Sequence, residues 1–554
     1  MTGDRNKTRD YDYVIIGGGS AGCTLAARLT ENPAVSVLLL EAGNRHGNLL
    51  NSWLIDMPAA FGQAWASPLF NWMYHGEPEP TLNGRRVFQP RGKVLGGSSA
   101  INGMCFIRGH ALDFERWVGE GASNWSWREV LPYFRRLETW EGGETVWRGG
   151  HGPMRIVKGK YPTELYDIFI AAGKEAGHPV TADINGEVQE GFGAFQMNVK
   201  DGVRASTARA YIEPNRNRPN LHVETGVLAE RLTFSGNRVS GASCVKNDGS
   251  RFRAHATTEV ILSGGAINSP QLLMLSGIGP AEHLADMGID CRIDLPGVGM
   301  NLHDHPLVYM KFGIDKPVSM GRYMRKDLML YAGARWMLNH TGPAASNNVE
   351  TCALLRSDTS VKHPDIEIQY LPVIMDHNGS VNPKVHGFTY CTGPSRVRGT
   401  GWVKLRSADP KDAPRILSNF LATDYDIKLM QRAIGLAREI ASQNVHRGLG
   451  VKELEPGPNI RSGAEITAYM RGAVEGDFHL TGTCKMGSDR MSVVDPQLRV
   501  HGVAGLRVVD ASVMPSIVNA NTNATTIMIA EKASDMIKGL PPLPKADVPL
   551  PAAP

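Results

Sequence analysis

The sequence predicts an α/β fold in which a Rossmann-like unit is assembled from separated stretches of chain, with a second sheet forming a layer of its own. Three observations predict it: two apolar runs joined by a glycine turn near the N-terminus, two strand-like runs around residues 260 and 507 that read as further pieces of the same unit, and an alternating stretch between them, Phe388 to Leu405.

The first run, Tyr11 to Ile16 with Asp12 near its start, leads into Gly17-Gly18-Gly19-Ser20-Ala21-Gly22. A helical stretch reaches Leu29, and a second run, Val35 to Leu40, closes on Glu41. Gly17, Gly19 and Gly22 fit G-x-G-x-x-G: the first allows a tight turn, the second lets a pyrophosphate approach the backbone, and the third lets helix pack on strand. Glu41 stands where a carboxylate accepts from ribose hydroxyls. This unit suits a dinucleotide, and flavin and nicotinamide cofactors satisfy it equally because both carry an adenosine diphosphate half. Glu259 to Ala266 reads as a buried strand running into glycines, and Leu506 to Val509 as another, ending in Asp510. Asp426 to Ala441 carries Leu429, Met430, Ala433, Ile434, Ala437 and Ile440 at helical spacing, a core stripe. The proline-rich tail, 541–554, is expected to be disordered or draped on the surface.

At 554 residues the chain calls for two domains sharing a cleft. Net charge is +4 with both signs dispersed, which argues against nucleic acid as a partner. The polar start, Met1 to Tyr11, has no apolar signal core, and no stretch approaches the roughly 20 apolar residues of a membrane helix. The chain reads as cytoplasmic, with peripheral contact at the inner membrane face left open. Seven scattered cysteines without a Cys-x-x-Cys pair offer no metal cage.

Four further segments turn this general reading into a family. Pro90-Arg91-Gly92-Lys93-Val94-Leu95-Gly96-Gly97-Ser98-Ser99-Ala100-Ile101-Asn102-Gly103-Met104 and Gly265 to Gly279 resemble the two signatures of the glucose-methanol-choline (GMC) oxidoreductases. Val298 to Pro306 and Phe478-His479-Leu480-Thr481-Gly482-Thr483-Cys484-Lys485-Met486-Gly487, followed by Asp510 and Asn521 to Met528, keep the family's order. The resemblance spans Tyr11 to Lys538 and is closest to choline-oxidising and related primary alcohol dehydrogenases. It implies FAD, with a discontinuous FAD-binding domain of residues 11–155, 200–310 and 465–540, and a substrate-binding domain, 156–199 and 311–464, on an antiparallel sheet. By the same analogy Ser20, Ala42, Trp72, Val94, Gly97, Ser98, Asn102, Gly103, Met104, Val227, Asp510, Ala511 and Thr522 join Gly17, Gly19, Gly22 and Glu41 around the cofactor. Some members attach the flavin through a histidine just before the signature asparagine. That position is Ile101 here, so noncovalent FAD is expected.

Oxidising an alcohol removes a hydroxyl proton and a carbon-bound hydride, so the site needs a base and an electron sink. Histidine suits the base, and His479 matches the family's catalytic histidine. Asn521 matches its second catalytic position, where an amide can bind the substrate oxygen; the plainer alternative is a helix cap. Glu350 falls where choline-oxidising relatives carry a glutamate thought to attract the quaternary ammonium, with Gln369 and Phe478 as further substrate-side candidates. Gln369 replaces a histidine and Leu480 a proline common in relatives. Asp477 reads by itself as a solvated loop acid, though an extended chain would turn it to the same face as His479. The expected partners are a small alcohol and a quinone or other electron acceptor, oxygen included. An oxidase of the same fold, a flavin-binding module without turnover and a nicotinamide enzyme are the competing readings.

Overall fold

The computed structural model describes residues 9–45 and 51–550; the start of the polar N-terminal stretch and the last four residues of the proline-rich tail lie outside the described residues. Strands Leu221–Thr225, Val37–Glu41, Arg9–Ile16 and Arg251–Leu262 run parallel in that order. The last strand shares its far edge between Leu506–Val508, which is parallel to it, and the hairpin Val227–Ser235/Arg238–Lys246, which is antiparallel. Parallel strands are stable when both faces are covered. Val14, Ile15, Val37 to Leu40 and Val260 to Leu262 are accordingly buried.

The register of this sheet positions the site. Leu40 lies opposite Ile16, Ile16 opposite Leu262, and Leu262 opposite Val508. Four strands therefore end level with one another, and the residues that follow, Glu41, Gly17, Ser263 and Asp510, emerge along one edge. Helices Ser20–Leu29 and Gly265–Leu275 begin at that edge, presenting their unsatisfied N–H groups to it.

The second sheet is antiparallel, in the order Lys452–Glu455, Pro306–Gly313, Gly387–Pro394, Ile366–Leu371, Thr351–Leu355 and Gly191–Ala194. Helix Asp424–Ala441 packs against it, capped by the Thr423 hydroxyl, which accepts from Asp426 N at 3.1 Å. The apolar stripe read from the sequence is buried there, Met430, Ala433, Ile434, Ala437 and Ile440 completely. Alternation along Ile366–Leu371 sends Ile366, Ile368 and Tyr370 into that core and leaves Glu367 and Gln369 on the opposite face.

Two sequence expectations change in detail, and a third, the tail, takes one of its two expected forms. The strand expected over Glu259 to Ala266 ends at Leu262, because Gly265 turns the chain with φ +81° and opens a helix. The stretch Phe388 to Leu405 divides between two sheets: Gly401–Lys404 pairs with Met300–Leu302 and Arg415–Leu417, since alternation marks a strand without naming its partner. The tail is draped as far as Val548, with Leu543 N donating to the Tyr133 hydroxyl and Ala546 N to Arg128 O. Among the described residues, no helix is long and apolar enough to cross a membrane.

Candidate active site

One cavity runs from the edge of the parallel sheet to the face of the antiparallel one. Gly17, Gly19, Ser20, Glu41, Ala42, Trp72, Gly97, Ser98, Asn102, Gly103, Met104, Val227, Asp510, Ala511 and Thr522 line it. The glycines divide by role. A Cβ on Gly17 would sit 2.4 Å from Ser263 O, and one on Gly22 1.9 Å from Gly17 O, so these two are closed by protein. Gly22 does not line the cavity; it lets the helix lie against the turn. A Cβ on Gly19 would meet nothing nearer than 3.9 Å, so the room its missing side chain leaves opens to the cavity. Val94 is also absent from the lining, buried instead with Trp65, Phe70 and Ile101.

The carboxylates of this end hold the backbone in shape. Glu41 accepts from Gly18 N at 2.8 Å and Gly43 N at 2.7 Å, and burial raises its pKa to about 7. Asp510 Oδ2 accepts from Gly265 N at 2.8 Å and Ser269 Oγ at 2.6 Å, while Oδ1 accepts from Ser512 N at 2.8 Å. A bare glycine turn flanked by two helix N-termini is a fitting seat for the pyrophosphate of FAD.

At the other end a short antiparallel contact fixes His479. Gly476 pairs with Pro306 and Thr481 with His303, while Asp477 N donates to His305 O at 2.8 Å. Between them Phe478 adopts a left-handed φ of +63°, its carbonyl accepting from the Arg91 guanidinium, and His479 N donates to Asp304 Oδ1 at 2.7 Å. The imidazole is thereby held at both nitrogens. Asn521 Nδ2 donates to Nε2 at 2.9 Å, so Nδ1 carries the proton of the neutral ring and faces His305 Nδ1 at 3.0 Å. Burial, then the neighbouring His305 and Arg91, hold the His479 pKa well below 6.5. Asn521 occupies the N-cap position of helix Thr522–Lys538, yet its side chain makes no capping bond, and its Oδ1 is buried without a hydrogen bond.

Gln369 and Phe478 line this end, with Tyr309, Cys391, Trp65 and Phe61. Glu350 does not. Val349 takes the cavity-facing place, and the Glu350 carboxyl turns away to accept from Tyr161 N at 3.2 Å and from the Ser346 hydroxyl. Val349 and Glu350 lie just before strand Thr351–Leu355, where Phe195 N donates to Glu350 O, and their side chains leave the backbone toward different sides. Asp477 corrects in the other direction. It is a cavity residue, held by Gln369 Nε2 at 2.8 Å, with Oδ2 3.5 Å from His479 Nδ1. Arg91 lies within Pro90 to Met104, and Asp304 and His305 within Val298 to Pro306; their hold on the His479 segment depends on separate stretches of chain being brought together.

Comparison with known proteins agrees with this architecture. The two family models described as GMC oxidoreductase match residues 11–307 and 397–530. The mitochondrial choline dehydrogenase of Homo sapiens is 46% identical over 551 residues, covering 98% of this chain and 93% of the relative. The oxygen-dependent choline dehydrogenase of Yersinia pseudotuberculosis is 45% identical over 542 residues, covering 97% and 95%. The crystal structure of pyridoxine 4-oxidase from Mesorbium loti superimposes with a TM-score of 0.86 at 32% identity, over 96% of this chain and 99% of that one. Formate oxidase gives a TM-score of 0.89 at 28% identity, over 96% and 98%.

Proposed function

The chain belongs to the GMC oxidoreductase family, which implies FAD, and we propose that it oxidises a primary alcohol to the aldehyde in the manner of a choline dehydrogenase. The observation that carries this reading is the pair His479 and Asn521 facing the same cavity as the glycine cradle, the imidazole neutral and its Nε2 2.9 Å from the Asn521 amide.

An alcohol oxygen that enters between these groups donates its proton to His479 Nε2 and accepts from Asn521 Nδ2. Loss of that proton builds alkoxide character on the oxygen, which the amide steadies. The proton on Nδ1 remains shared with His305, so the ring keeps its orientation as it becomes cationic. Bound flavin supplies the acceptor for the hydride leaving the carbinol carbon. Trp65, Phe61, Leu371 and Met375 exclude water around the reacting carbon. Residues 11–155, 200–310 and 465–540 hold the cofactor, and 156–199 with 311–464 the alcohol. Electrons pass on to a quinone or another carrier, oxygen included.

Anaerobic mixing with a panel of primary alcohols tests the reading: the visible flavin band should bleach with at least one of them, and a band unchanged by all would end it. Peroxide production measured against dye reduction assigns the acceptor. Ile101 stands at the attachment position, so acid precipitation should leave yellow flavin in the supernatant and a colourless pellet; flavin in the pellet would show a covalent bond.

A further inference from the structure

We propose that Asp477, rather than Glu350, selects the alcohol: with Gln369 and the aromatic walls of Trp65, Phe478 and Tyr309 it forms a subsite for a cationic nitrogen two carbons from the hydroxyl. This rests on the reading that His479 and Asn521 bind the alcohol oxygen.

Position gives the first argument. The alcohol oxygen belongs at His479 Nε2, and Asp477 Oδ2 lies 3.5 Å from Nδ1 of the same ring. The path from the carboxyl across the ring to an oxygen hydrogen-bonded at Nε2 is at most roughly 8–9 Å, a span of the order that a two-carbon spacer and a cation–carboxylate contact of about 4 Å cover together. Bonding gives the second. Three carboxyl side chains line the cavity among the described residues, Glu41, Asp477 and Asp510. Both oxygens of Glu41 and of Asp510 hold groups at the glycine end, whereas among the described residues Asp477 accepts from Gln369 alone, at Oδ2. Glu350 is turned away from the cavity toward Gly159, where an added Cβ would lie 2.1 Å from its carboxyl carbon.

Charge gives the third. Strand Ile366–Leu371 turns Glu367 and Gln369 toward Asp477, Asp304 approaches from the segment before Pro306–Gly313, and Tyr309, Cys391, Cys105 and His479 complete the surroundings. Arg91, the one arginine or lysine in the lining, is directed at the Phe478 carbonyl. The acids here outnumber the protein's own cations, and the aromatic faces attract positive charge as well. Burial, then Glu367 and Asp304, push the Asp477 carboxyl well above its usual range, favouring the form that keeps its proton. A bound cation displaces that proton, which makes cation affinity rise with pH, while that of an uncharged alcohol does not.

The test compares choline and N,N-dimethylethanolamine, one quaternary and one protonated amine, with the uncharged 3,3-dimethylbutan-1-ol by anaerobic flavin reduction. Wild-type enzyme should favour both cations, and Asp477→Asn should lower the cation-to-neutral ratio of kcat/KM roughly 10–10³-fold. Glu350→Gln should leave that ratio unchanged, and Asp477→Glu, which keeps the charge, should retain the preference. Bound flavin in each variant, read from its visible spectrum, reports folding; if Asp477→Asn does not fold, the Asp477→Glu and Glu350→Gln ratios together with the wild-type pH dependence decide. Bleaching by all three alcohols without preference, equal losses for all in Asp477→Asn, or a loss of preference in Glu350→Gln would overturn the subsite while leaving the alcohol-oxidising reading in place. No bleaching by any alcohol would overturn both.

Discussion

His479 acquires its chemistry from what surrounds it. An exposed imidazole would be partly protonated near neutral pH, but burial beside His305 and Arg91 keeps this one neutral. A base must be unprotonated, so the rate of flavin reduction by an uncharged alcohol should hold level as pH falls through 6.5 and decline only at lower values; an inflection at or above 6.5 would contradict the assignment. His479→Ala should retain bound flavin and lose roughly 10²–10⁴ in the rate of reduction, read by stopped flow. Asn521→Ala, which removes the amide facing the oxygen, should lose about 10²–10³. A variant of either residue that bleaches at the wild-type rate would remove it from the mechanism.

At the scale of the element, the glycine turn combines two tasks that a sequence motif lists together. Gly19 leaves space for a ligand, while Gly22 leaves space for the chain itself. Gly19→Ala should therefore fold with nearly unchanged thermal stability and lose flavin, measured as FAD per chain. Gly22→Ala should be destabilised by about 1–3 kcal/mol because its Cβ would press on Gly17 O. Equal flavin loss and equal melting temperatures in the two variants would contradict this division.

Across the whole molecule, the parallel-sheet half is fastened by a carboxylate far from the chemistry. Glu531 is fully buried, accepting from Arg28 Nε at 2.9 Å, Arg136 Nε at 2.7 Å and the Tyr211 hydroxyl at 2.8 Å. It joins helix Thr522–Lys538, which begins at Asn521, to helices Ser20–Leu29 and Trp127–Leu137. Glu531→Ala removes one carboxylate from each of two guanidinium groups, leaving Glu31 to Arg28 and Asp535 to Arg136, and should cost about 1–3 kcal/mol in denaturant unfolding of the flavin-free protein. A change under about 1 kcal/mol would mean that Glu31, Asp535 and solvent hold the arginines without it.

The sequence by itself determined the nucleotide unit, because its signals are local: glycine spacing, the runs on either side and a terminal acid all lie between Tyr11 and Glu41. It also singled out His479 and Asn521, through motifs long enough to identify a family. Tertiary structure decided what depends on facing and distance. Asp477 and Glu350 are both acids beside plausible site residues, yet only the first turns its carboxyl into the cavity, and each lies just outside a strand, Glu475–Gly476 or Thr351–Leu355, whose pairing in space sets its direction. The hold of His305 on His479, 174 positions away in the chain, exists only because Pro306 pairs with Gly476 and draws the two segments together. Burial, which lowers the pKa of one imidazole and raises that of one carboxyl, is a property of the assembled cavity, so no single segment of the chain carries it.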